Sequence, residues 1–170
     1  SAASDVYKRQ RLDTPGLAIK EHAMGKDFQV VGVGNAIVDI FSRVEEGLLQ
    51  ENNLNKGVMH LTNCEKTESL LSQINITKKV AGGSAANTIV ALSQMGLKTG
   101  YIGKIADDQK GKIFKQDLID DSIIYNTEFL DKSNSESTGK CIVLITPDKE
   151  RTINTYLGAT ELSLIHISEP

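Results

Sequence analysis

Apolar positions along this chain recur at two periods, and the change from one to the other divides it. Gln29 to Gly34 (QVVGVG) is a short run rich in valine and glycine, which predicts a first buried strand. Asn35 to Phe41 (NAIVDIF) continues extended, with one carboxylate, Asp39, inside the apolar run. Glu45 to Asn55 is polar and predicts a short helix, and Lys56 to Leu61 reads as a strand. Thr62 and Glu65 have capping-box spacing ahead of a helix with Leu70, Leu71 and Ile74 on its apolar side. Lys78 to Ala81 leads into two glycines. Beyond them Ala85, Ile89, Leu92 and Met95 recur at steps of four and three, one face of a buried helix that Gly96 ends. Thr99 to Ile105 predicts a second buried strand, and Asp107 or Asp108 opens a helix carrying Ile113, Phe114 and Leu118. Strand and helix alternate to this point, the pattern of a parallel sheet covered by helices.

The pattern then shifts. Ile123 to Phe129, Thr138 to Ile145 and Arg151 to Leu157 are three strand candidates with no helix between them, and Pro147 to Glu150 supplies a turn between the last two. A hairpin inside an α/β chain suggests a small antiparallel appendage of the sort that covers a site as a lid. Composition adds bounds: 170 residues with 39% hydrophobic content and a formal charge of -3 suit one domain with a real core and offer no strong field for nucleic acid or membrane. Cys64 and Cys141 lie far apart, which argues against a disulfide framework. With no signal peptide or spanning run in the sequence, a cytoplasmic location is expected.

The chemistry concentrates in AGGSAANTIVALSQMG, Ala81 to Gly96. Gly82 and Gly83 remove side chains that would block a close approach, and Ser84 is the candidate N-cap of the helix that follows. The amides of such a helix start suit a hydroxylated or anionic small molecule; a tight turn with no ligand is the alternative. Asn87, an amide among small and apolar neighbours, must find a partner or face a cavity, and so favours the ligand. Asp39 between Val38 and Ile40 is either a turn carboxylate or an acceptor for two sugar-type hydroxyls. Arg151 is either an exposed strand-edge charge or, at the start of a lid-like hairpin, a guanidinium able to reach a phosphoryl group.

Other motifs fail on spacing. After Gly32 and Gly34 a dinucleotide fingerprint needs glycine where Ile37 stands, and a Walker loop fails because Ile105 follows Gly103 and Lys104. His22 and His60 lie far apart with no cysteine or carboxylate at metal-ligand spacing, and His166 falls in the terminal segment set apart below. Cys141, inside an apolar strand, reads as inert packing.

The ends are set apart. Asp5 to Gln10 (DVYKRQ) and Leu162 to Ile167 (LSLIHI) can be encoded by the two strands of one DNA word, GATGTGTATAAGAGACAG and its reverse complement. The word resembles the end of a transposon-based sequencing adapter. Residues 1–23 are therefore expected to be adapter or leader and 162–170 adapter translation, with Met24 a natural start. Residues 24–161 then form the front part of a longer protein, expected to expose an unpaired sheet edge and to be poorly soluble alone.

The ordered set GVGNAIVDI, AGGSAANT, IGKIADDQKG and STGKCIVLITPDKERTINTYLGA resembles the N-terminal half of the ribokinase-like, or PfkB, carbohydrate kinases, within them the bacterial adenosine kinase type. The resemblance spans about Asp27 to Thr160. It implies an α/β fold, a three-layer αβα sandwich with a small antiparallel β lid, and transfer of the γ-phosphoryl of ATP to a nucleoside or sugar hydroxyl with Mg²⁺. It places Asn35 and Asp39 at the sugar hydroxyls, Gly82, Gly83 and Asn87 on the substrate side, Cys141 and Leu157 at lid positions bordering a base, and Arg151 at the phosphoryl group on closure. The general-base aspartate, its glycine-rich anion hole and the ATP pocket are expected in the second half, so the fragment itself is expected to be inactive. A fructokinase- or ribokinase-type sugar kinase and a non-catalytic sugar- or nucleoside-binding regulator are the alternatives.

Overall fold

The structure, a computed structural model, describes residues 28–131 and 133–162. The expectations for residues 1–23 and for 162–170 fall outside these apart from Leu162, as do the start at Met24 and His22 and His166. The chain runs β1 (Val30–Val33), β2 (Ile37–Arg43), α1 (Glu46–Glu51), β3 (Met59–Leu61), α2 (Cys64–Ser72), β4 (Ile76–Gly82), α3 (Ser84–Gln94), β5 (Thr99–Ile102), α4 (Gln109–Asp120), β6 (Gly139–Ile145), β7 (Arg151–Tyr156) and a 3₁₀ turn, Gly158–Thr160.

Two sheets result. β1 and β5 pair in parallel across α3, as the βαβ pattern requires. The second sheet has the order β3-β7-β6-β2-β4 and is mixed: β2 pairs β6 in parallel and β4 antiparallel, β7 pairs β6 antiparallel, and β3 pairs β7 in parallel. Its strands therefore come from both ends of the described chain, whereas the sequence placed the appendage after Ile123 alone. The difference comes from β4. Its first four residues, Ile76 to Lys79, are exposed, so they carry no alternation to read.

The core sits where the two sheets meet their helices. Val38 and Ile40 of β2 pack with Ala86 and Ile89 of α3, Phe114 and Leu118 of α4, and Tyr101 of β5. Tyr101, Phe114 and Tyr125 form an aromatic group with ring centroids 5.7 to 6.3 Å apart. Tyr125 belongs to a segment the sequence predicts as a strand. Only Ile124 bridges, to Gly100, and Ile123 and Tyr125 are held by burial in an otherwise irregular segment.

Three helix boundaries differ from the sequence reading for local reasons. α2 is capped by Asn63, whose Oδ1 accepts from the Lys66 N–H at 2.9 Å, and not by Thr62. The Thr62 N–H already donates to the Thr155 carbonyl beside the β3–β7 pairing, so Thr62 lies one residue outside the helix. Gly83, not Ser84, is the N-cap of α3, at φ 96°, and Ser84 is already the first residue of the helix. Met95, placed on the buried face, is 75% exposed at the C-cap, where the helix has already ended.

Asp108 caps α4 as expected and also ties it to β6. Its Oδ1 accepts from the Gly111 N–H at 2.7 Å and from the Thr138 hydroxyl at 2.8 Å, and its Oδ2 from the Thr138 N–H at 2.9 Å. Burial alone would raise its pKa, but these hydrogen bonds outweigh it and hold the carboxyl below the ordinary range. A lowered folded pKa stabilises the fold above the unfolded value and the benefit is lost as pH falls through the folded one. Asp108→Ala is therefore expected to cost about 1–2 kcal/mol near neutral pH, and thermal melts should show the gap to wild type narrowing as pH drops below the ordinary carboxylate range. An unchanged gap would refute the assignment.

Candidate substrate-binding site

The five-stranded sheet has one covered and one open face. Behind it, Ile142 and Leu144 of β6 pack on Leu49 of α1 and Leu70 of α2. Lys140, 1% exposed, points the same way and pairs with Glu68 of α2, with its ammonium 5.2 Å from the Tyr156 ring centroid. In front, register aligns Leu61, Thr155, Cys141, Asp39 and Val80 in one row across all five strands. Directly paired residues share a face, so the row presents a carboxylate among apolar and small polar side chains. Asp39 is half-buried.

The neighbours of Asp39 explain its state. Burial raises its pKa, and a hydrogen bond with the Cys141 thiol partly opposes the rise. Burial likewise pushes the thiol up to about 11, so Cys141 stays a neutral thiol, consistent with the unreactive packing residue that the sequence suggests. On the other side lies Gly82. A Cβ there would overlap the Asp39 carboxylate, so only a residue without a side chain lets the acid occupy this position.

Asn35, between β1 and β2, is fixed from three sides. Its Oδ1 accepts from the Thr160 hydroxyl at 2.7 Å, its backbone carbonyl accepts from the Tyr101 hydroxyl at 3.0 Å, and the same carbonyl would stand 2.5 Å from any Cβ on Gly83. Leu157 follows β7 and is half-buried, its carbonyl against Gly139, the register partner of Ile37. Asn35, Asp39, Gly82, Gly83, Cys141 and Leu157 are thus gathered at the N-terminal end of β2 and the strands beside it.

Two predicted residues lie at the surface. Asn87, one turn into α3, is exposed, and among the described residues its side chain has no hydrogen-bond partner. Arg151 is exposed and pairs with Ile145, on the same face as Asp39 but four residues along β7 from Thr155, about 13 Å at 3.3 Å per residue. The sequence reading missed Thr160, Gly139 and Val80. Gly139 had a signal, since a glycine opening an apolar strand implies a close backbone approach; the other two have none without the fold. Among the described residues, two open clefts lie elsewhere, one lined by Ala106, Asp108, Leu130 and Ser137 and the other by His60, Thr62, Lys66 and Asn154, and neither includes a predicted site residue. Among the described residues, no group of three or more His, Cys, Asp or Glu is arranged to hold a metal ion, and no helix is long and apolar enough to cross a membrane.

The α/β unit with its mixed sheet matches the ribokinase-like fold of solved adenosine kinases. The pattern of pfkB family carbohydrate kinases matches residues 58–166, and the chain belongs to that family. An adenosine kinase from Sinorhizobium meliloti is 38% identical with a TM-score of 0.71, the match covering 79% of this chain and 40% of that one. A probable sugar kinase from Rhizobium etli is also 38% identical, with a TM-score of 0.70 and the same shares. Among curated relatives, a 5-dehydro-2-deoxygluconokinase from Clostridium botulinum is 39% identical over 95 residues, 55% of this chain and 28% of the relative. The chain thus spans less than half the length of the kinases it matches.

Proposed function

We propose that this chain is the acceptor-binding part of an ATP-dependent kinase that phosphorylates a hydroxyl of a nucleoside or sugar, with residues 24–161 forming its N-terminal part and lid strands. The observation that carries this is the Asp39 carboxylate, half-buried in the row between Cys141 and Val80 and set against a glycine that leaves it room. A carboxylate can accept two hydroxyl donors at once, and the neutral Cys141 and apolar neighbours offer a surface to the rest of the molecule.

In this reading Asp39 accepts two hydroxyls of the acceptor and Asn35 donates to one. Gly82 and Gly83 admit it, Cys141 and Leu157 border its less polar part, and Asn87 closes the site from α3. Arg151 serves as the cation for a phosphoryl group when the lid sheet closes over the acceptor, since it lies on the correct face but at a distance. ATP supplies the phosphoryl group and Mg²⁺ offsets its charge. Among the described residues no group of three or more His, Cys, Asp or Glu is arranged to hold Mg²⁺, and the glycine pair beside Asp39 is given in this reading to the acceptor. In the family-length kinase other residues must hold both, so the 170-residue chain alone is expected to bind acceptor weakly and not to turn over. Phosphotransfer by the purified chain would contradict this.

The curated relatives favour a sugar-type acceptor and the solved adenosine kinases a nucleoside. The nucleoside reading is preferred, because Cys141 and Leu157 both flank Asp39's end of the sheet, where an aromatic base could lie beside the hydroxyl-binding acid. Initial rates of the family-length kinase on adenosine, inosine, ribose, fructose and 5-dehydro-2-deoxygluconate test it. A preference of at least about tenfold for adenosine is expected. A preference for a sugar would assign a sugar kinase, and binding without turnover of any of the five would assign a regulator.

A further inference from the structure

Thr160 is a fully buried hydroxyl that reaches the side chain of a predicted substrate residue. It lies in the 3₁₀ turn after β7 with no exposed surface, and its Oγ1 donates to Asn35 Oδ1 at 2.7 Å. The two are 125 residues apart in sequence. A carboxamide has two faces of opposite hydrogen-bonding sense, and rotating it by 180° exchanges donor for acceptor. With its oxygen turned to the Thr160 hydroxyl, Asn35 has its Nδ2 donors left for a ligand.

The backbone leaves no other adjustment. The Asn35 carbonyl is held by the Tyr101 hydroxyl and backed by the bare Cα of Gly83. The turn carrying Thr160 is itself fixed: the Ala159 N–H donates to the Ser137 carbonyl at 2.9 Å, and Gly158 adopts φ 54°, where a Cβ would overlap that same carbonyl. Gly139 lies between, its Cα facing the Thr160 methyl and the Ala36 carbonyl with no room for a side chain.

We propose that Thr160 is a positioning residue that holds the Asn35 carboxamide by its oxygen, so that this asparagine donates to an acceptor oxygen of the substrate while Asp39 beside it accepts from hydroxyls. Together they read a donor and an acceptor on neighbouring substrate oxygens. A lone carboxylate would read only donors. This rests on the acceptor-binding role proposed above for Asn35.

The test is a double-mutant cycle in the family-length kinase, read as KM and kcat on its best acceptor. Thr160→Val keeps shape and removes the hydroxyl, and is expected to raise KM about 5- to 10-fold, the equivalent of one net hydrogen bond, with kcat nearly unchanged. Thr160→Ser should restore the wild-type KM, which a purely packing role would not produce. In an Asn35→Ala background Thr160→Val should change KM by less than about twofold. Equal effects in both backgrounds, or no effect in wild type, would overturn the proposal. A wild-type kinase without activity on any nucleoside or sugar would instead overturn the acceptor-binding reading beneath it, and the proposal with it. If Thr160→Val does not fold, a Thr160→Ser variant with a tenfold KM defect would equally refute the proposal, because its hydroxyl remains.

Discussion

Asp39→Ala in the family-length kinase is expected to lower kcat/KM by about 10²- to 10⁴-fold. Two charge-assisted hydrogen bonds of about 1.5–3 kcal/mol each are lost with the carboxylate, and a tenfold change corresponds to about 1.4 kcal/mol. The fold should survive, because the substitution removes only a side chain and leaves the backbone pairing of this position with Val80 and Cys141 in place. Acidity supplies an independent check. Burial holds the folded pKa of Asp39 above its ordinary value, so KM should rise as pH falls through a value above the usual aspartate range. The stability sign is opposite to that of Asp108. A raised carboxyl pKa means ionisation costs stability as pH rises, so Asp39→Asn should melt slightly higher than wild type at neutral pH while activity falls. Parallel losses of activity and of melting temperature in Asp39→Asn would count against a substrate role.

The two adjacent glycines should fail in different ways. Gly83→Ala puts a Cβ 2.5 Å from the Asn35 carbonyl oxygen, a backbone atom, in a residue held at φ 96°. Neither the strain nor the clash can be relieved by a side-chain rotation, so a loss of about 2–4 kcal/mol of stability is expected. The nearest atoms that Gly82→Ala meets belong to the Asp39 carboxylate, a side chain that can rotate aside. Its cost in stability should be about 1 kcal/mol or less, whereas kcat/KM should fall about 10²-fold, because the displaced acid no longer faces the acceptor. Chemical denaturation and steady-state kinetics on the two variants check both halves. Matching stability losses would mean that Asp39 does not need the space at Gly82.

Those predictions depend on contacts that vary in how far the sequence exposes them. The glycine pair, the small helix start and Asp39 inside an apolar run are readable because each breaks a local rule: a side chain missing where one is expected, or a charge where burial is costly. Their meeting point is not readable. Gly82 lies 43 positions beyond Asp39 and reaches it only because β4 pairs antiparallel with β2, a strand whose exposed first half has no alternating pattern. Asn87 is a case that its sequence neighbours do not decide: they are apolar, yet it is exposed, since α3 buries Ala86 and Ile89 on another side.

Local periodicity by itself determined the α/β class, the hairpin β6–β7 and the capped start of α4, because each follows from contacts within a few residues. It also determined which residue types could serve a polyol. Only the tertiary structure decided that Thr160 meets Asn35, that Cys141 lies against Asp39 and that Arg151 stands about 13 Å away along its strand. The physical reason is pairing order. In the sheet β3-β7-β6-β2-β4 the strands that build the site are neighbours in space but not in sequence, and register between distant strands is fixed by the burial of whole faces, which no short window of residues contains.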